Sequence, residues 1–150
     1  MAEQDHPSDE LELDQQLCFA LHSTSLAMTR VYKPLLKALG LTYPQYLAML
    51  ILWQQDGLTV GALSKRLMTD PGSLTPVLKR LEADGRLKRV RAEHDERVVQ
   101  VWLTTQGREL KARASHIPGC MIDASAHSPQ ELLALKEALV TLREQLHKAL

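Results

Sequence analysis

Between Thr59 and Leu103 the spacing of apolar positions changes character three times. Leu63 and Leu67 form one stripe at helical spacing, and Thr59 is placed to cap it. Met68-Thr69-Asp70-Pro71-Gly72-Ser73 then forms a turn cluster unsuited to a helix interior. Leu74, Val77, Leu78 and Leu81 follow at i, i+3, i+4 and i+7, predicting a second helix that Gly85 ends in a left-handed conformation. From Leu87 to Arg91 and from Arg97 to Leu103 the pattern becomes that of strands, with Val99, Val101 and Leu103 alternating against Val98, Gln100 and Trp102. Ala92 to Glu96 reads as the charged tip joining them.

Helix, turn, helix and hairpin in that order predict a winged helix-turn-helix. Pro76 helps locate the second helix, because proline sits badly beyond the first helical turn. Ser73 as N-cap puts Pro76 third in the helix and is the preferred start; Asp70 with Pro71 next is the competitor. Either start presents Ser73, Thr75 and Pro76 on the first turn, with Lys79 and Arg80 one turn on. Such a helix enters a DNA major groove, while the hairpin, through Arg89, Asp95 and Arg97, reaches the backbone or minor groove beside it.

The flanking segments are helical. Leu17, Leu21, Met28, Tyr32, Leu35 and Leu39 share a broad face, predicting one helix from Leu11 to Leu39 that Pro34 kinks or restarts and Gly40 closes. Pro44, after Thr42 or Tyr43, opens a helix carrying Leu47, Leu50, Ile51 and Trp53 and ending near Asp56-Gly57. Beyond the hairpin, Thr104 or Thr105 caps a helix lined by Leu110, Ala114 and Ile117 and ended by Pro118-Gly119. Residues 118–127 read as a connector containing Cys120. Ser128-Pro129-Gln130-Glu131 is a capping box, and Leu132, Leu135, Leu139, Leu142 and Leu146 then make a heptad seam. The expected architecture is a single domain, mainly α with a small β wing. Residues 11–57 and 104–150 form a helical dimerisation region around the 59–103 DNA-binding region, and an obligate dimer forms through the N- and C-terminal helices.

Charge alters the picture through its distribution. The 150 residues carry 18 basic and 18 acidic side chains, a net charge of zero. Residues 1–15 hold six acidic and no basic groups, whereas residues 60–100 hold nine basic and six acidic, a local excess of three. The positive excess therefore falls on the candidate DNA-binding element, and dimerisation doubles it. The acidic first residues offer no apolar signal core and are expected to be disordered over 1–10, which points to the cytoplasm. No apolar run approaches a membrane span, so no membrane partner is expected. Cys18 and Cys120 lack metal-ligand spacing, and no metal or other cofactor is expected.

Four of the six aromatic residues, Phe19, Tyr32, Tyr43 and Tyr46, lie close to Cys18 in sequence. Cys18 and Tyr32 are 14 residues apart, which puts them on one helical face but about 21 Å apart along it. They can meet only across a dimer whose long helices run antiparallel. There a tyrosine hydroxyl bonded to the thiolate would stabilise it. The residues alone leave Cys18 as either that thiolate or an inert core thiol, the commoner fate of a free cysteine.

LDQQLCFALHSTSLAMTRVYKPLL, GLTYPQYLAMLILW and GSLTPVLKRLEADGRLKRVRAEHDERVVQVWLTTQG together resemble the organic hydroperoxide resistance regulators (OhrR) of the MarR family over residues 11–117. The correspondence is specific at Leu17-Cys18-Phe19, at Tyr32-Lys33-Pro34 and from Leu41 to Gln45, and Asp95-Glu96-Arg97 is similar to the wing signature of the whole family. The resemblance implies a homodimeric repressor of a peroxidase gene that binds a palindromic double-stranded DNA operator. It implies that Cys18, held by the partner's counterparts of Tyr32 and Tyr43, is oxidised by organic hydroperoxides. In the two-cysteine branch Cys120 would then close an inter-subunit disulfide. His22, one turn after Cys18, stands where many relatives have tyrosine and would make any help to the thiolate pH-dependent. Two other readings stay open: a MarR-type repressor induced by a small aromatic ligand, with inert cysteines, and a thiol peroxidase. The second lacks a thioredoxin-like CxxC and leaves the DNA-binding element unexplained.

Overall fold

The computed structural model describes residues 9–150, so the expectation of disorder over 1–10 lies largely outside the described residues. Seven helices and a three-stranded antiparallel sheet follow in the order α1 (Leu17–Lys37), α2 (Tyr43–Gln54), β1 (Leu58–Thr59), α3 (Val60–Arg66), α4 (Pro71–Ala83), β2 (Leu87–Ala92), β3 (Asp95–Leu103), α5 (Thr105–Ala114), α6 (Ile117–Ser125) and α7 (Pro129–Lys148). This is a mainly α winged helix. The sheet order is β1-β3-β2, and β1 is a strand the hydrophobic pattern had not shown, because two residues carry no readable period.

The core is built where the two terminal regions meet the winged unit. Leu36 of α1 and Leu39 just past its end pack with Met49 and Leu52 of α2, Leu63 of α3, Leu78 and Leu81 of α4, Leu87 and Val101 of the sheet, Leu110 of α5 and Ile117 of α6. Helix α2 is buried almost all round, with Leu50 its outward apolar residue rather than part of the buried face. Asp56 ties the sheet to its neck: one carboxylate oxygen accepts the amides of Gly57 and Leu103 at 2.9 and 2.8 Å. The Trp53 indole N–H donates to the Gly107 carbonyl at 2.8 Å, joining α2 to α5.

Several boundaries differ from expectation. Two short 3₁₀ turns, Asp9–Leu11 and Leu13–Gln15, precede α1, which begins at Leu17 rather than Leu11. The helix runs through Pro34 without a break; Pro34 and Arg30, whose carbonyl loses its donor, both lie on the exposed side, so the freed carbonyl is open to solvent rather than buried. Residues 118–127 are not a connector. Pro118 opens α6 instead of ending α5, since a proline in the first turn forfeits no helical bond, and Ala126 closes α6 in the left-handed region at φ 54°. Ile117, assigned to the α5 face, is the fully buried first residue of α6.

The capping expectations at Thr42, Thr59, Thr104 and Ser128 hold, each side chain accepting the amide three residues on. Along α7 no side chain is buried, and the seam residues Leu135, Leu139 and Leu146 are exposed. The first four turns of α1 are equally bare, with Leu17, Leu21, Leu26 and Met28 open.

Gly107 is required by a close approach: a Cβ there would clash with the Arg86 carbonyl oxygen, whereas a Cβ on Gly119 of α6 meets nothing within 4 Å. Gly107→Ala is expected to destabilise by at least about 2 kcal/mol, and Gly119→Ala to stabilise by about 0.5–1 kcal/mol. Urea unfolding midpoints measure both; equal effects would refute the packing account.

Candidate nucleic-acid interface and thiol site

The turn before α4 sets its start. Asp70, not Ser73, is the N-cap: its carboxylate accepts the Ser73 amide at 2.8 Å and the Ser73 hydroxyl at 2.8 Å, with Pro71 first in the helix. The side-chain and backbone hydrogen bonds from Ser73 hold the Asp70 carboxyl below the usual carboxylate range. A depressed folded value means the cap is complete above the unfolded carboxylate's pKa and is lost as pH falls through the lower folded one. The doubly bonded carboxylate outweighs the cost of an internal Pro76, whose missing N–H affects only the exposed Gly72 carbonyl. Thr75 donates its hydroxyl to the Pro71 carbonyl at 2.8 Å, and Met68, in the turn itself, is exposed at φ 55°.

Ser73, Pro76, Lys79 and Arg80 are exposed on one side of α4, opposite the buried Leu74, Leu78 and Leu81. Arg80 forms an i,i+4 pair with Asp84 at 3.3 Å. Arg89 behaves differently. Its backbone amide donates to Glu82 at 2.8 Å and its guanidinium pairs with the same carboxylate at 3.1 Å, so it braces β2 against α4. The Arg89 amide, then its guanidinium, holds the Glu82 carboxyl below its ordinary value.

The wing tip is tighter than the expected five residues. Glu93-His94 form the turn, with Ala92 paired to Asp95. Because Arg91 pairs with Val99, the three residues Glu96, Arg97 and Val98 bulge from β3. Arg97 is 92% exposed there, its amide and Nε donating to Asp95 at 3.0 and 3.3 Å, and Arg91 braces the loop through the Glu96 carbonyl at 3.0 Å.

A second cluster lies at the α1–α2 junction. Tyr32 stacks at 5.1 Å on Tyr43 and 5.7 Å on Tyr46, both tilted. Tyr46, which the sequence reading named only among the aromatics, is 4% exposed and backs the other two. Burial first, then the neighbouring tyrosines, raise the Tyr32 hydroxyl above the ordinary value; burial and Tyr43 do the same to Tyr46. Both remain hydrogen-bond donors well beyond neutral pH. Cys18 and His22 are exposed in the first turns of the same unbroken α1, with Cys18 about 21 Å from Tyr32. Cys120 is half-buried in α6, which packs on α1, and both thiols are free. Next to the tyrosines an open cleft of about 470 Å³ is lined by Thr29, Arg30, Lys33, Leu36, Lys37 and Tyr43, among others. Among the described residues no His, Cys, Asp and Glu cluster suits a metal, and no helix is long and apolar enough to cross a membrane.

Two capped helices around a tight turn, a basic exposed face and an arginine-tipped wing define a winged-helix transcriptional regulator. Residues 30–114 match the pattern of the SarA/Rot transcriptional regulators. The organic hydroperoxide resistance transcriptional regulator of Bacillus subtilis (strain 168) is 49% identical over 140 residues, covering 93% of this chain and 95% of that protein. Reduced AbfR bound to DNA is similar at TM-score 0.75 and 30% identity, covering 92% of this chain and 96% of that one. Disulfide-formed AbfR, at 31% identity and 94% coverage of both chains, superposes at 0.62; AbfR is from Staphylococcus epidermidis. The chain belongs to the MarR family of transcriptional regulators, in its organic hydroperoxide resistance group.

Arg97→Ala is expected to weaken binding of duplex DNA and to flatten the plot of log affinity against log salt by about one unit. Fluorescence anisotropy across a salt series measures this, and an unchanged slope removes Arg97 from the phosphate contacts.

Proposed function

We propose that the protein is a cytoplasmic homodimeric repressor that binds a palindromic double-stranded DNA operator and releases it when an organic hydroperoxide oxidises Cys18. The observation that carries this reading is the separation on α1. Exposed Cys18 stands about 21 Å from a tyrosine cluster on its own subunit, yet an antiparallel partner brings the two together. The bare faces of α1 and α7 supply the apolar surface for that partner. Relatives support it: one is named for organic hydroperoxide resistance, and another has been solved reduced on DNA and with a disulfide.

The chemistry balances within the proposal. The Cys18 thiolate, held by hydroxyl donors from Tyr32 and Tyr43 of the other subunit, attacks the terminal peroxide oxygen. The O–O bond breaks, an alkoxide leaves and takes a proton to become the alcohol, and sulfur becomes a sulfenic acid. Attack by the Cys120 thiol of the partner then forms the S–S bond and releases water. Cys120 sits in the regular helix α6, so α6 must shift or unwind to deliver it. That displacement alters the separation of the two α4 helices, which the operator requires to be near one DNA turn. On α4, Ser73, Thr75, Pro76, Lys79 and Arg80 face the groove, and Asp95 aims Arg97 at the flanking backbone. His22, one turn after Cys18 on α1, offers a hydrogen-bonding ring nitrogen beside it. The partly apolar cleft with its cationic rim favours a second reading, induction by a small aromatic acid with Cys18 inert.

Cys18→Ser is expected to retain operator binding and lose release by cumene hydroperoxide in a mobility-shift assay; normal release by peroxide in that variant would end the redox reading. Cys120→Ser is expected still to form the sulfenic acid, detected by mass spectrometry, but no disulfide-linked dimer on a non-reducing gel. A persisting cross-linked band would assign the resolving role elsewhere.

A further inference from the structure

Arg86 stands at the point where the scaffold helices meet the recognition helix. Its amide donates to the Leu81 carbonyl in the last turn of α4 at 2.9 Å, and its carbonyl accepts the Thr104 amide at 3.1 Å. Its side chain turns the other way: Nη2 donates to the Leu39 carbonyl just past the end of α1 at 3.2 Å. From α5, Arg113 donates to the adjacent Ala38 carbonyl at 3.0 Å. Carbonyls at a helix C-terminus lack helical donors and carry the negative end of the helix dipole, so two guanidinium groups there grip the end of α1. Gly40, at φ 71°, keeps the turn close; a Cβ on it would lie 3.4 Å from Arg86 Nη2. The Arg86 Nε is buried without a hydrogen-bond partner among the described residues. The Nη2 bond to Leu39 therefore holds a half-buried guanidinium whose Nε has given up water without a replacement.

We propose that Arg86 is the positioning residue that couples α1 to α4, through the continuous chain Leu39 carbonyl, Arg86 side chain, Arg86 amide and Leu81 carbonyl. This rests on the reading of Cys18 as the switch. Cys18 lies at one end of α1 and the Arg86 contact at the other. A shift of α1 relative to α5 therefore either drags the last turn of α4 or breaks the Leu39 bond. Arg113 holds the same end of α1 but joins it to α5, so it anchors the scaffold without reaching α4.

The test uses the full-length protein, a fluorescent duplex selected from a random pool by the reduced wild type, and one equivalent of cumene hydroperoxide. The ratio of oxidised to reduced dissociation constants measures the coupling. Arg86→Met is expected to bind the duplex in the reduced state within about threefold of wild type, while its ratio falls at least about fivefold. Arg86→Lys, which keeps the charge but not the fork, is expected to lose at least about twofold and decides the matter if the methionine variant does not fold. Ratios equal to wild type, or equal weakening of both states, overturn the proposal and leave Arg86 a merely structural residue. If wild type itself keeps the duplex although mass spectrometry shows Cys18 oxidised, the switch reading fails and hydrogen exchange judges the coupling separately. DNA is then expected to slow exchange of the Leu39 to Leu41 amides in wild type and not in Arg86→Met; equal slowing in both overturns it.

Discussion

A straight helix cannot fold its own ends together, and that constraint governs this molecule. Helix α1 spans 21 residues without interruption, so the thiol in its first turn and the tyrosine in its fifth are fixed apart. No rearrangement inside one subunit changes this short of unwinding the helix. Whatever chemistry joins Cys18 to Tyr32 is therefore chemistry of two chains. The distribution of burial agrees, for among the described residues many apolar side chains of early α1 and of α7 stay exposed. The winged unit, by contrast, is covered within its own subunit: its helices and sheet share one core with the end of α1 and with α2, α5 and α6, and Asp56 and Arg89 are its polar ties.

Much of this was legible in the sequence because it depended on short-range rules. The four threonine and serine caps, the helical spacing of Leu74, Leu78 and Leu81, and the alternation in β3 are each decided within a few residues. The same locality misled at Ser73. Counting Pro76 from the nearest hydroxyl gave a tidy first turn, whereas the folded chain prefers the carboxylate of Asp70, which satisfies both an amide and the Ser73 hydroxyl. Pro118 reads as a stop although proline starts helices as readily, and it is the burial of Ile117 in the shared core, with α6 packed on α1, that distinguishes the two.

The candidate site was legible to the degree that its residues carry rare chemistry. Cys18, Tyr32 and Tyr43 drew notice as a thiol near aromatics. Tyr46 stands among the same aromatics but carries no role in the sequence, because a buried tyrosine in a hydrophobic helix looks like any core residue until its ring is found against Tyr32. Arg89 was grouped with the DNA contacts on charge alone. Charge cannot reveal that Glu82, seven residues earlier, already holds it, since that pairing depends on how β2 returns along α4. Arg86 was counted as one more cation for a similar reason: its partner carbonyl lies 47 residues away in sequence.

The bulge in β3 separates two demands that a plain hairpin would fuse. In a regular ladder, each residue at the tip is tied to the register of the whole strand, and inserting or deleting one turns every later side chain over. Here Glu96, Arg97 and Val98 stand outside the pairing, while Val99 to Leu103 keep their partners on β2. The tip can therefore vary in length and sequence without disturbing the Val101 and Leu103 that fill the core. The tip and the scaffold are in this way two separately variable parts of one hairpin.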